Sequence, residues 1–235
     1  MSKQSRKKGN KKISKVALIA FPVVLVLLIV LIGYLDKTGK EQAQQEKETQ
    51  VVQFDLSNQP VIGSKDAKVT LVEFGDYKCG SCVNWKQHVY PELKKDFIDT
   101  GKVKLSYSNM TFQPGNTRLA ALAGEAVFAQ NNESFWKFHQ ALYNDQVEHL
   151  TQEFTVEYLL DIAKKAAPEL DLKKLEDDIR NETYAEQLAH DDRVSKEAKV
   201  NSTPTVFING KLHMTEQPLN YDELKAAIEK ALEAS

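Results

Sequence analysis

The sequence predicts an α/β fold, and three observations carry that expectation. Strand-like runs rich in β-branched and aromatic residues occur near the start and the end of the region beyond residue 50. A long stretch between them has helical periodicity only, and a helix follows each group of strands. The resulting order is β-β-α-β, a helical block of roughly 80 residues, then β-β-α. That order makes a small mixed sheet with helices on its faces and an inserted all-helical subdomain.

The chain of 235 residues is long enough for one domain with accessory segments, and its 42% hydrophobic and 27% charged residues are those of a globular protein. Residues 1–15 form a basic head, with Lys3, Arg6, Lys7, Lys8, Lys11, Lys12 and Lys15 and no acid. All 33 acidic residues therefore lie beyond it, and an acidic body argues against nucleic acid as a partner. From Val16 to Leu35 an uncharged, apolar run is interrupted only by Pro22, Gly33 and Tyr34. At about 1.5 Å per residue it spans roughly the 30 Å hydrocarbon layer, which predicts a transmembrane signal-anchor over 16–35. The basic head is expected on the cytoplasmic side and the body outside. A cleaved signal would have a shorter apolar region, about 7–15 residues, ending at small residues, whereas this run continues into Tyr34-Leu35-Asp36-Lys37. Residues 36–50, rich in Gln, Glu and Lys without an aromatic, read as a flexible tether.

Strands are expected at Val51–Leu56, Lys68–Phe74, Lys102–Met110 and Thr205–Ile208, the last turning at Asn209-Gly210 into a hairpin partner, Lys211–Met214. A helix is expected over 82–97. Between Asn116 and Lys199 four or five helices follow one another. Their apolar faces run through Leu119, Leu122, Ala123 and Ala126, then Phe135, Phe138 and Leu142, then Val156, Leu159, Leu160 and Ala163, then Leu172, Leu175 and Ile179. The last helix starts at Asn220, with Glu223 in the reciprocal capping-box position. These stripes read as core. The sheet-forming part is thus expected at 51–115 and 200–235, with the helical insertion at 116–199.

Chemistry concentrates on two cysteines, Cys79 and Cys82, the only ones in the chain. A zinc site needs four ligands, of which the pair supplies two, and the five histidines are scattered, so no metal is expected. A purely structural disulfide across four residues would restrict the unfolded chain little. Redox chemistry fits better. A strand leads through Gly75-Asp76-Tyr77-Lys78 into Cys79, and a helix follows, so Cys79 lies where free amides and the helix dipole stabilise an anion. Lowering a thiol pKa from about 8.5 to about 6 raises its thiolate fraction at pH 7 from roughly 3% to roughly 90%. Cys79 is then the nucleophile and Cys82 the buried resolving thiol. Lys78 adds a positive charge in sequence, and the Ser81 hydroxyl is a further candidate for stabilising the thiolate.

The strand Leu71-Val72-Glu73-Phe74, the Cys79-Gly80-Ser81-Cys82 helix start and the distant segment Ser202-Thr203-Pro204-Thr205-Val206-Phe207-Ile208-Asn209-Gly210 resemble the DsbA-like branch of the thioredoxin superfamily, in particular membrane-anchored BdbD-like forms of Gram-positive bacteria. The resemblance covers about residues 50–235. It implies a thioredoxin-like fold and an extracytoplasmic dithiol oxidase acting on exported proteins with cysteines. It also implies recharging by a quinone-linked membrane oxidase of the DsbB kind, with no cofactor beyond the Cys79–Cys82 disulfide. Pro204 resembles the family's cis-proline, presenting the backbone of Thr203 to a substrate strand without an N–H of its own; the alternative is a trans-proline opening an edge strand. Glu73, six residues before Cys79, sits where such proteins often carry a buried acid, which could take the proton of Cys82. Its alternative is a satisfied salt bridge at the sheet rim. Gly80-Ser81 departs from the proline and histidine often found between these cysteines, so the direction of electron flow stays open. A reductase or isomerase on the same scaffold, and a non-catalytic binding module, remain the competing readings.

Overall fold

A sheet of five strands organises the molecule. The computed structural model describes residues 31–37, 50–113, 116–213 and 220–235. Chain contacts separate Met1–Lys47 from a second unit, Glu48–Ser235. In the first, residues 31–37 are helical, with Leu31, Ile32, Tyr34 and Leu35 exposed. Most of the expected anchor, 16–30, lies outside the described residues. Among the described residues no helix is long and apolar enough to cross a membrane.

In the second unit the strands are β1 (Val61–Gly63), β2 (Val69–Gly75), β3 (Val103–Asn109), β4 (Thr205–Ile208) and β5 (Lys211–His213), in spatial order β1-β3-β2-β4-β5. Among the described strands only β2 and β3 run parallel. β2 is the central strand, buried on both faces, which is why it reads as an almost continuous apolar run. By the period of two, Leu71 and Glu73 face one side and Val72 and Phe74 the other. Glu73 stands opposite Tyr107 of β3 and Val206 of β4, in the middle of the sheet.

The segment expected as a strand at Val51–Leu56 is not one. Val51 makes a single bridge to Lys211, and Val52 N–H donates to Gly210 O at 2.7 Å. Beyond it Val52, Phe54 and Leu56 lie against Val72, Phe74 and Phe207, so alternating apolar residues here cover a sheet face instead of joining its ladder. The edge strand beside β3 is β1, too short and too close to Pro60 for its pattern to stand out.

Helix α1 (Gly80–His88) follows β2, and the helix expected over 82–97 breaks after it. The chain continues as α2 (Tyr90–Leu93) and a π-helical turn, Lys94–Ile98. Pro91 explains the interruption, having no N–H to offer the preceding turn. Five helices follow β3: α3 (Thr117–Gln130), α4 (Asn132–His149), α5 (Val156–Ala166), α6 (Leu172–Arg180) and α7 (Ala185–Glu197). Side-chain caps from Asn131, Thr155 and Asp171 start α4, α5 and α6. The final helix, α8 (Tyr221–Glu233), is capped by Asn220, whose side chain accepts from Asp222 N. Glu223 takes the Asn220 side-chain amide instead of its backbone N–H, so the reciprocal half of the capping box does not form.

One apolar core runs from the sheet into the helical block, with Tyr77 and Tyr107 packed against Phe135, His139 and Tyr143 of α4. A buried polar cluster ties the same parts together at the end of β3. The Asn109 side-chain amide donates to Glu125 of α3 at 2.8 Å and to Asp191 of α7 at 3.1 Å. Burial, reinforced by Asp191, raises the Glu125 carboxyl to a pKa of about 8.

Candidate active site

The carboxyl end of β2 delivers the chain to α1 through a tight loop, and Cys79 is the N-cap residue, with an extended backbone and no side-chain cap. Its N–H donates to Asp76 O at 3.0 Å. The first-turn N–H groups have no intrahelical acceptors, and those of Ser81 and Cys82 point at the Cys79 sulfur. Both cysteines are thiols here.

The two sulfurs experience opposite surroundings. Hydrogen bonding from the Cys82 thiol, then from the Thr203 side chain and the N–H groups of Cys82 and Ser81, outweighs burial and brings Cys79 from 9.0 down to about 5. In the thiol form Cys79 Sγ donates to Thr203 O at 3.3 Å, while among the described residues the buried Thr203 hydroxyl has no hydrogen-bond partner. That hydroxyl is a donor in reserve for a thiolate. Cys82, fully buried one turn inward, is pushed well above an ordinary thiol by burial, by the Cys79 charge and by Glu73.

The Thr203-Pro204 peptide is cis and brings the loop before β4 against α1. Thr203, Pro204 and Thr205 form one wall of a groove of about 330 Å³, with Ser81, Trp85 and Leu224 opposite. Thr203 and Pro204 therefore lie with the cysteines, although more than 120 residues separate them in sequence.

Glu73 has no solvent exposure, and its charge acts on Cys82. Its Oε2 accepts from Lys86 Nζ at 2.8 Å, and Lys86 is also fully buried. A salt bridge is thus present, but in the core and not at the sheet rim. Burial raises the Glu73 carboxyl even against the Lys86 charge, and its Oε1 has no hydrogen-bond partner among the described residues. The Lys86 ammonium lies 4.6–5.8 Å from the ring centroids of Trp85, Tyr90, Tyr107, Trp136 and Tyr143, which replace water around the charge. His139 stays neutral in this setting, its pKa driven well below the usual value by burial and by Lys86. Its Nδ1 pairs with Tyr77 Oη at 2.8 Å.

Two expected thiolate stabilisers are placed differently. The Lys78 ammonium turns away from Cys79 toward the end of α4. It donates to Gln146 Oε1 at 2.7 Å and to the carbonyls of His149 and Gln152, and it lies 4.0 Å above the Phe154 ring. The helix C-terminus offers a cation several carbonyls, more than the thiol offers. Ser81 is exposed, and its backbone N–H, not its hydroxyl, lowers the Cys79 pKa. Gly80 lies under the adjoining loop, where a Cβ would meet Leu150 at 3.4 Å.

Sequence reasoning passed over Lys86 and Asp76. The signal for Lys86 was its spacing, four residues beyond Cys82 on the same helix face. For Asp76 it was an aspartate at the start of the loop, where a carboxylate accepts from backbone two residues on, as it does from Lys78 N at 2.8 Å.

Three comparisons bear on this geometry. The family model described as Thioredoxin matches residues 55–230. Disulfide bond formation protein D of Bacillus subtilis (strain 168) is 39% identical over 177 residues, which are 75% of this chain and 78% of the relative. The crystal structure of oxidised BdbD from Bacillus subtilis superposes with a TM-score of 0.73 at 38% identity, covering 78% of this chain and 97% of that one. DsbA of Chlamydia trachomatis shares the fold, with a TM-score of 0.67 at 22% identity over 80% of this chain and 98% of its own.

Proposed function

The chain belongs to the thioredoxin family and is a thiol–disulfide oxidoreductase, and from that premise we propose that it is an extracytoplasmic oxidase passing its Cys79–Cys82 disulfide to exported proteins. The observation that carries the reading is the inequality of the two thiols, one drawn down to about 5 and its neighbour pushed well up. The name of the Bacillus subtilis relative, a protein of disulfide bond formation, supports the same direction.

A substrate thiolate attacks Cys79 Sγ and forms a mixed disulfide. The Cys79–Cys82 bond breaks, and Cys82 leaves with its electron pair and takes up a proton. A second substrate thiolate attacks the substrate sulfur of that adduct, and Cys79 leaves as a thiolate. The substrate loses two electrons and the pair gains them. The lower the pKa of the leaving thiol, the faster it leaves, which suits Cys79 to the second step. Glu73, with one oxygen on Lys86 and the other free, exchanges the proton of Cys82, accepting it when Cys82 attacks a mixed disulfide and returning it when Cys82 departs. Lys86 holds that carboxyl in place. Thr203 offers its backbone to an extended substrate segment, and Pro204 leaves no competing N–H beside it. The redox pair needs no further cofactor. A quinone-linked, DsbB-like membrane protein reoxidises it, and residues 16–35 anchor the chain with the basic head inside.

The deciding experiment is trapping in cells. Cys82→Ala accumulates mixed disulfides with exported proteins, because its Cys79 thiolate opens their disulfides and no Cys82 remains to displace the captured sulfur, and Cys79→Ala accumulates few; the reverse pattern overturns the roles. Glu73→Gln slows release of a mixed disulfide through attack by Cys82, the step in which the carboxylate takes the proton, by a factor on the order of 10², and leaves release by a second substrate thiolate nearly unchanged. Equilibration with glutathione fixes direction: the oxidase has a midpoint above roughly −200 mV, and a value near −270 mV makes it a reductase. Protease added to intact, wall-stripped cells removes the domain and spares an N-terminal tag; protection until lysis sinks the orientation.

A further inference from the structure

Asp76 is almost fully buried at the mouth of the site, three residues before Cys79, and the chemistry above does not use it. Every polar group it has is engaged. Its Oδ1 accepts from Lys78 N at 2.8 Å, and its Oδ2 accepts from Phe112 N at 3.2 Å and Gln113 N at 3.1 Å. These bonds tie the loop before the nucleophile to the segment that leaves β3, and Met110 N, donating to Gly75 O at 2.9 Å, extends the same seam. The backbone of Asp76 reaches both cysteines: its carbonyl accepts from Cys79 N, and its N–H is directed at the Cys82 sulfur.

We propose that Asp76 is a positioning residue that sets how oxidising the Cys79–Cys82 pair is, by fixing a buried carboxylate beside the Cys79 thiolate while its backbone holds both cysteines. The inference rests on the assignment of Cys79 as the nucleophile. Three N–H donors favour the charged carboxylate, and wherever it is ionised the reduced pair develops a second negative charge beside it. The oxidised pair has no thiolate to repel. Asp76 therefore raises the free energy of the reduced form alone and lowers the midpoint potential, restraining what the helix N-terminus and Thr203 promote. In keeping with this, burial and then the Cys79 charge lift the Asp76 carboxyl, against the three N–H donors. The other ionisable groups acting with it are the Lys78 ammonium, held at the end of α4, and the Tyr77 phenol, paired with His139.

The test uses the full chain in both redox states. In the unaltered protein the Asp76 carboxyl, followed by carboxyl-selective NMR, titrates at higher pH when the pair is reduced than when it is oxidised. Equal titration in the two states overturns the proposal. Asp76→Asn lowers the Cys79 pKa, read from thiolate absorbance, by about one unit, and raises the midpoint potential by the corresponding 30 mV or so. Asp76→Glu, which keeps the charge, stays nearer the unaltered protein than Asp76→Asn does. An unmoved or lowered potential in Asp76→Asn counts against the idea, and if that variant does not fold, the titration of the unaltered protein decides. Should trapping on Cys79 succeed while the potential fails to move, only the role of Asp76 falls. Should trapping of exported proteins fail while thiolate absorbance still marks Cys79 as the low-pKa thiol and the potential moves, the oxidase reading falls and Asp76 stands.

Discussion

The mouth and the floor of the site lie one helical turn apart and treat negative charge in opposite ways. At the mouth, Cys79 meets N–H groups, a neighbouring thiol and a hydroxyl, and its proton is easily lost. On the floor, Cys82 meets apolar walls and the Glu73 carboxyl, and its proton is held. The difference comes from what surrounds each sulfur, since the residues are chemically identical. The floor also buries a complete ion pair, Lys86 with Glu73, inside an aromatic cage, where each charge depends on the other. The mouth tolerates loss of a single donor; the floor tolerates loss of neither partner.

The largest effect is therefore expected on the floor. Lys86→Ala leaves Glu73 buried and uncompensated and costs about 3–5 kcal/mol in denaturant unfolding. The double change Lys86→Met with Glu73→Gln recovers most of that loss, because it removes both charges. A single-variant loss below about 1 kcal/mol would mean that the pair is not mutually dependent.

A second test sharpens the comparison through pH. Cys79 is depressed from 9.0 to about 5 on folding, so its contribution to the reduced fold is fully present above pH 9, shrinks as pH falls, and is gone below about 5. The oxidised fold lacks that titration. The melting temperature of the reduced form relative to the oxidised form should consequently climb from pH 5 toward 9. A flat difference over that window would remove the contrast between the two thiols.

The smallest effect is predicted at Lys78. Its ammonium serves the end of α4, so Lys78→Met should loosen the 149–154 loop yet move the midpoint potential by less than about 30 mV, the equivalent of tenfold. A larger drop in potential would make Lys78 a stabiliser of the thiolate after all.

Much of this molecule is readable from local pattern. The order of strands and helices, the helical block after β3, the Asn209-Gly210 hairpin and the capping of α8 by Asn220 follow from periodicities and turn residues that act within a few positions. So does the inequality of Cys79 and Cys82, because a helix start exposes amides to the first residue and buries the fourth. The short β1 was hidden, since three residues show no period, and residues 52–56 were misleading, since alternation marks any segment with one covered face.

By itself the sequence determined which residues could ionise, that a helix starts at the cysteine pair, and that a proline stands before β4. Only the tertiary structure decided where the long charged side chains end. Lys78 and Lys86 both lie close to the cysteines in sequence, yet one ammonium finds Gln146 and helix-end carbonyls while the other finds Glu73 and five rings. A flexible four-carbon stem can carry a charge in many directions at little cost, so the direction taken depends on the acceptors that distant elements bring within reach. For Lys78 the chosen side-chain partner is 68 residues away, beyond anything that local spacing can specify.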